Sequence, residues 1–425
     1  MIANKDLMMQ LANAEDYDPS SMRVEQARVF IRKTLTPVCG SEKLPLKEAL
    51  GRVLSEDIVS PLNVPGHDNS AMDGYAFRFA DINSSGKTIL KRVGESFAGH
   101  AFDGMVQHGE CVRIFTGAVM PQGADTVVVQ ERVEEKDGVV TITAGTVTAL
   151  GQNRRFAGED IQKGKTVLAC GRRIGAPELG VLASLGIAEV PVFRRLRVAF
   201  FSTGDELTPV GMPLPKGHIY DSNRYSLYGA LSQLSVEVID LGAISDVPEQ
   251  IERTLIDAAS SADVVISIGG VSVGAADFIK SLLDKLGQVL FWRLAMKPGK
   301  PLAYGVIGDA HFFGLPGNPV SAMVTFYQFV REALLILQGE TPVESLLLSA
   351  RLIAPVKKAI GRAEFQRGVC ENRDGQLVVT PAPEQGSGIL TSMTNANCFI
   401  VLPLEAGKLS AGEIVDVQLF SGLVE

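Results

Sequence analysis

Apolar and polar positions along the chain switch between two periods, and each switch marks an element. Over residues 23–35 the apolar side chains Val24, Ala27, Ile31 and Leu35 recur at spacings of three and four, which predicts an amphipathic helix stopped by Pro37. A second short helix is expected over 46–54, leading into a strand at 57–59. From about residue 78 to 150 the runs TILKRVG, CVRIFTGA, TVVVQERV and VVTITAG alternate with Gly and Pro. This predicts a small β-barrel or sandwich, inserted between helical segments. PELGVLASLGI then supplies one more helix, whose apolar face is expected to pack on the first, so that the first domain is discontinuous around the insert.

Between residues 198 and 321 the pattern changes. VAFFSTGDEL, VIDLGAISD, VVISIGGVSVGAADF, WRLAMKPGKP and FFGLPGNPVSA each join a strand-like run to a Gly-rich or charged loop. Strands at 197–201 and near Val236, Val264, Val289 and Phe312 alternate with helical spacing at about 223–234, 247–259, 277–286 and 320–337. That alternation predicts a mostly parallel α/β sheet. Past residue 341 the runs are β-type again, as in a small barrel or sandwich. The expected organisation is a leader (1–21), a discontinuous helical domain (22–60 with 152–190), an inserted β domain (61–151), an α/β domain (191–340) and a C-terminal β domain (341–425).

Composition agrees with a folded multidomain chain: 425 residues, 46% hydrophobic and 21% charged, more than one ordinary core holds. A net charge of −8 without a basic stripe argues against a nucleic-acid partner held by counterion release. Cys39, Cys111, Cys170, Cys370 and Cys398 are scattered and odd in number, which indicates neither a disulfide framework nor a zinc knuckle. The first twenty residues carry Lys5, Asp6, Glu15, Asp16 and Asp18 and lack the apolar stretch of a secretory signal. No run reaches the ~18 apolar residues of a membrane helix. A cytoplasmic protein is expected.

Ligands of open α/β sheets bind outside the carboxyl ends of the strands, and Asp205, Glu206, Asp246, Asp277, Lys297, Lys300 and Asn318 fall there. Carboxylates suit Mg²⁺ and lysines suit an oxyanion, so these residues are candidates for a magnesium-dependent site. Each has a plainer account as well. Of Asp205 and Glu206, either carries the metal or acts as a base while the other caps the following helix; Asp277 is a helix-start carboxylate or a ligand. Gly269 and Gly270 can point successive amides at an anion. Lys297 and Lys300 are either solvated turn residues or two cations held by the prolines of MKPGKP. Asn318 and Pro319 read as a helix cap and first turn. In VPGHDNSAMDGYAF, Asp68, Asn69 and Asp73 either cap backbone amides at a hinge or bring Asp73 to a ligand. Neither GKT sequence has the glycine of a Walker A loop, and GxGxxG, GxSxG and HExxH do not occur.

DNSAMDGYA, RIFTGA, STGDEL, IYDSNR, GGVSVG with its AD, MKPGKP, GLPGNPVSA and FQRG together resemble the motifs of the molybdopterin molybdenumtransferase family, the bacterial molybdenum-insertion enzymes related to the E domain of gephyrin. The order is the family's, and the resemblance runs from about residue 23 to the end. It implies four domains and a homodimer whose site is shared between subunits. It implies that molybdate and adenylylated molybdopterin become molybdenum cofactor, with AMP released in a Mg²⁺-dependent step, and that the chain contacts the molybdopterin adenylyltransferase.

Carried over motif by motif, the resemblance makes Asp73, Asp160, Glu206, Asp277 and Lys297 catalytic. It assigns Thr116, Asp205, Ser272, Lys300, Arg367 and Ser387 to substrate, and Glu206, Asp246 and Asp277 to metal. Arg293 stands where some relatives have lysine, trading a point donor for a fork. Two other readings compete. The upstream adenylylation step would bring a TGGTG-like loop where this chain has ISIGGVSVG, and a non-catalytic scaffold would not need acids and lysines gathered at one edge.

Overall fold

The computed structural model describes Met8 and residues 20–38, 40–270, 285–341, 343 and 345–423. Helix α1 (Val24–Thr34) buries Val24, Ala27, Phe30 and Ile31, the stripe that its spacing requires. Its partner is not the helix of the first domain, as expected from the sequence. It packs in the core that holds Trp292, Leu334 and Leu337, with Phe30 edge-on to Trp292 at a centroid distance of 5.2 Å. Arg28 donates to the carbonyl of Gln328 at 3.1 Å. Periodicity shows which face of a helix must be covered, and the covering surface lies about three hundred residues away, where no local signal reaches.

The two segments that flank the insert are sewn together by backbone. Ser41–Pro45 pairs antiparallel with Glu189–Phe193, Ile58–Val59 with Thr166–Leu168, and Asn69–Ser70 with Arg154–Arg155. Helix α2 (Ala176–Ser184) shares a core with Ala49, Leu54, Ile174 and Val192. The short helix expected at 46–54 is only a 3₁₀ turn, Leu46–Ala49.

The insert forms one six-stranded sheet rather than a sandwich, and among the described residues no pairing closes it. Next to its edge strand runs β1 (Gly74–Phe77), fully buried between β2 (Glu110–Ile114) and β3 (Thr126–Val129). A Cβ at Gly74 would lie 1.9 Å from the Val128 carbonyl oxygen. The glycine of DGYA is therefore there to let two strands approach.

The α/β sheet is built from β4 (Arg197–Thr203), β5 (Glu237–Ile244), β6 (Val264–Ile268), β7 (Gly287–Arg293), then, after the two-residue β8 (Met296–Lys297), β9 (Pro301–Ile307) and β10 (Ala310–Leu315). Their order is β5-β4-β6-β10-β9-β7. The first three pairings are parallel and the last two antiparallel. Val198 and Phe200 face helix α3 (Ser222–Ser232), and Ala199 and Phe201 face helix α4 (Pro248–Ser261), so β4 reads as an unbroken apolar run. Strand β9 was not among the strands expected from the sequence.

Pro319–Leu337 is helical throughout and, by length and composition, apolar enough to cross a membrane, yet 78% of its apolar 18-residue window is buried within the fold. Helix α5 (Pro319–Thr325) and helix α6 (Arg331–Leu337) flank a π turn, Phe326–Val330. A π turn loosens the carbonyl ladder locally, and here the Gln328 carbonyl takes Arg28 while its side-chain amide donates to Gln418 at 2.8 Å. One residue thus ties α1, the central domain and the last strand together. The C-terminal strands Leu348–Leu352, Ala363–Arg373, Gln376–Pro381, Cys398–Leu402 and Ile414–Leu419 close into a five-stranded barrel. Strand β8 pairs in parallel with the start of Ala363–Arg373, with Lys297 opposite Glu364.

His311, at the start of β10, is buried beside Tyr304 and is held neutral, its pKa lowered by burial from 6.5 to about 4. As pH falls through 6.5 the unfolded chain takes up a proton that the folded chain excludes, so stability drops; between pH 6.5 and about pH 5 the loss is roughly 2 kcal/mol. Urea unfolding at the two pH values checks this. His311→Phe should remove that part of the pH dependence whatever its absolute stability, and an unchanged slope would mean that other groups set it.

Candidate functional site

Three backbone turns meet at the carboxyl ends of β4, β6 and β10. After Thr203, Gly204 adopts a φ of 151°, and the Glu206 carboxylate folds back over it; a Cβ on Gly204 would come within 2.6 Å of Glu206 Oε2. No helix follows for either acid to cap. The chain makes a short strand, Leu207–Thr208, paired with Ile219–Tyr220, and only then enters α3. Asp221 is the cap there, accepting from the Arg224 amide at 3.1 Å and from Ser202 Oγ at 3.2 Å. An Asp just before a helical run was a legible N-cap signal in IYDSNR.

At the end of β6, Gly269 and Gly270 have φ of 94° and 70°, a region glycine enters without strain. Side chains are also excluded by space, since a Cβ on Gly269 would sit 2.7 Å from the Thr203 carbonyl oxygen. The Gly269 amide donates to Leu315 at 3.0 Å, continuing the sheet ladder, so it is not available to an anion as the sequence suggested. The third turn, GLPGNP, is held by Asn223 Nδ2 donating to the Gly317 carbonyl at 2.7 Å. Asn318 occupies the cap position of α5 without a side-chain capping bond.

Asp205, Glu206 and Asp246 gather here. Asp205 accepts from the Asp246 amide at 3.1 Å. Partial burial and the charges of Asp205 and Glu206 push the Asp246 carboxyl above its ordinary range, the behaviour of acids crowded without a cation. Among the described residues no group of three His, Cys, Asp or Glu side chains is spaced to hold a metal ion. Mg²⁺, however, commonly uses one or two carboxylates and completes its shell with water and substrate phosphate, so the chemistry of two of these acids is compatible with that ion. Thr203 Oγ1, Asp221 Oδ2 and Asn223 Oδ1 are buried at this edge without hydrogen-bond partners, leaving capacity for water or substrate. Ser272 and Asp277 lie outside the described residues, and with them the expected convergence of Asp277 on Glu206.

The C-terminal domain reaches the same edge. The Val320 amide at the start of α5 donates to the Ser387 carbonyl at 3.0 Å. Arg367 is only 1% exposed; its guanidinium donates to Ser392 Oγ at 3.0 Å and to the carbonyls of Glu384 and Gly386. Burial pulls its pKa down to about 10. In this arrangement Arg367 shapes the loop that carries Ser387. Lys297, Lys300 and Arg293 are exposed, and the Lys300 carbonyl accepts from the Leu294 amide at 2.7 Å, which fixes the loop.

Asp73 and Thr116 come together on the inserted sheet. The Thr116 amide and hydroxyl both donate to Asp73 Oδ1, at 2.8 and 2.7 Å. These bonds, with the Arg113 charge, hold the Asp73 carboxyl below its usual range. Asp68 keeps the plainer role, pairing with Arg154 and accepting the Ala157 amide at 2.8 Å. Asp160 is exposed, with its amide bonded to Val64. The sheet under Asp73 and Thr116 has its own cores, which share no residue with those of the α/β sheet.

Cavity size does not mark the chemistry. A cavity of about 570 Å³ opens at the amino end of the α/β sheet, lined by Arg194, Arg197, Asp263 and His311, away from the edge where the acids gather. Arg194 and Asp263 are paired there at 2.6 Å.

An α/β layer with acids, lysines and a glycine turn at its carboxyl edge, flanked by a β insert and a closed barrel, defines a multidomain enzyme of molybdenum cofactor biosynthesis once its three parts are compared with known families. Residues 22–186 match the MoeA N-terminal region (domains I and II), 199–335 a probable molybdopterin binding domain, and 349–420 the MoeA C-terminal region (domain IV). The molybdopterin molybdenumtransferase of Haemophilus influenzae is 47% identical over 406 residues, covering 95% of this chain and 100% of that protein. That of Bacillus subtilis is 34% identical, covering 89% and 90%. A molybdopterin biosynthesis moeA protein from Pyrococcus horikoshii superposes with a TM-score of 0.82 at 30% identity, covering 94% and 100%. The chain belongs to the molybdopterin molybdenumtransferase family.

Proposed function

We propose that this enzyme inserts molybdenum from molybdate into adenylylated molybdopterin, releasing AMP in a Mg²⁺-dependent step. The observation that carries the reading is the gathering of Asp205, Glu206 and Asp246 beside the Gly269–Gly270 turn in a region that matches a probable molybdopterin binding domain. Glu206 and Asp246, with Asp277, would hold Mg²⁺, which would neutralise charge on the phosphoanhydride. Lys297 and Lys300, exposed on a loop fixed between two domains, bind the dianionic molybdate or the phosphates as point charges. The buried oxygens of Thr203, Asp221 and Asn223 accept hydrogen bonds from water or substrate. Asp205 orients the Asp246 backbone. Arg367 holds the Ser387 loop against the start of α5.

Asp73, Thr116 and Asp160 belong to the same reaction and reach it from a second copy, the assembly being a homodimer with a shared site. The enzyme works in the cytoplasm and receives its substrate by contact with the molybdopterin adenylyltransferase. The test is direct: purified protein is mixed with adenylylated molybdopterin, molybdate and Mg²⁺, and AMP and active cofactor are measured together. Equal yields of both, lost on chelation, are expected; substrate binding without AMP would leave a carrier rather than an enzyme.

A further inference from the structure

Arg113 lies on β2 and has no role in the reading above. Its guanidinium carbon is 4.8 Å from the centroid of the Tyr75 ring and 5.2 Å from that of Phe115, so the cation lies over both aromatic rings. It also donates to Gln130 Oε1. Each of these contacts leads back to the same pair. Tyr75 follows Asp73 by two residues on β1, Phe115 immediately precedes Thr116, and the Gln130 amide donates to the Asp73 carbonyl at 3.1 Å. Phe97 extends the stack, lying parallel to Phe115 at 4.6 Å. Both Thr116 donors go to Asp73 Oδ1, which leaves Oδ2 for chemistry. A carboxylate that is to serve a substrate at one place needs its supporting segments fixed, and the Thr116 turn is itself exposed.

We propose that Arg113 is a positioning residue for the reaction: lying over the Tyr75 and Phe115 rings and bonded to Gln130, it locks the three segments that present Asp73 and Thr116. Lysine would keep the charge but has neither the flat guanidinium that meets two rings at once nor the fork. The proposal rests on the reading that Asp73 acts in molybdenum insertion.

The test compares Arg113→Lys and Arg113→Met in the full chain. Without substrate, hydrogen exchange at the Thr116 amide should quicken in both, while β6 and β10 exchange as in the wild type. With substrate, kcat for AMP release should fall roughly tenfold to a hundredfold with little change in KM, as expected for a misplaced acid. The acid limb of the rate profile separates charge from shape. Arg113 is the cation whose field bears on Asp73, while Arg92, Glu95, Glu131 and Glu135 line the cavity beside it. Removing that cation makes the carboxylate easier to protonate, so the limb should move to higher pH in Arg113→Met and stay in place in Arg113→Lys.

A folded Arg113→Met protein with wild-type kcat and wild-type Thr116 exchange would overturn the proposal. Should that variant not fold, Phe115→Leu removes one of the two rings and keeps the charge; it should show the faster exchange and lower kcat, and wild-type values there would be equally fatal. A wild-type enzyme that releases no AMP would refute the functional reading, while the exchange measurement would still judge the role of Arg113.

Discussion

Asp73→Asn should lower AMP release by about a hundredfold to ten-thousandfold, the range for loss of a general acid or base, and leave the fold intact because the side chain reaches solvent. Asparagine keeps an oxygen for the Thr116 amide and hydroxyl, so the exchange of carboxylate for amide is the only large change. The same variant tests the assembly. If Asp73 of one subunit serves the edge that carries Glu206 of the other, co-expressing inactive Asp73→Asn with inactive Glu206→Gln creates mixed dimers with one intact site in two. Random pairing then restores about a quarter of wild-type sites. A site built within one chain would give no recovery, and inactive mixtures with normal dimer mass would sink the shared-site reading while leaving the role of Asp73 to the single variant.

Strands such as β4 and β6 were legible because burial on both faces forces an unbroken apolar run, as in Val198 to Phe201; β9 is as deeply buried and was missed, its run following the turn of MKPGKP without a break. The motif loops were legible because glycines and acids follow such runs directly. What could not be read was where distant surfaces meet. The apolar stripe of α1 announces a partner, and only the fold shows that Trp292 and Leu334 supply it. Alternation of strands and helices suggested that Asp205 or Glu206 would cap a helix; instead residues 207–220 intervene, and Asp221 takes the cap. Arg367 looked like a substrate cation by motif, yet its guanidinium is satisfied by carbonyls seventeen and nineteen positions along the chain. Sequence shows that an arginine is present; whether it meets solvent depends on the loop that folds over it.

The same limit shapes what can be asked of the acids. Glu206 and Asp246 come from different strand ends, and burial, with the fields of Asp205 and Glu206 added to it, raises the proton affinity of Asp246. Two carboxylates that feel each other in this way either share a cation or hold a proton at the expense of rate. We therefore expect Glu206→Gln and Asp246→Asn each to cut AMP release by about a hundredfold and to raise the Mg²⁺ concentration needed for half-maximal rate. The double variant should lose far less than the product of the single losses, as groups serving one ion do. Adding Asp277→Asn to either single variant extends the cycle to the acid that the family resemblance assigns to the same ion. If the losses multiply, and Mg²⁺ dependence is unchanged in the single variants, Glu206 and Asp246 perform separate tasks and the metal, where it binds, is held by other groups.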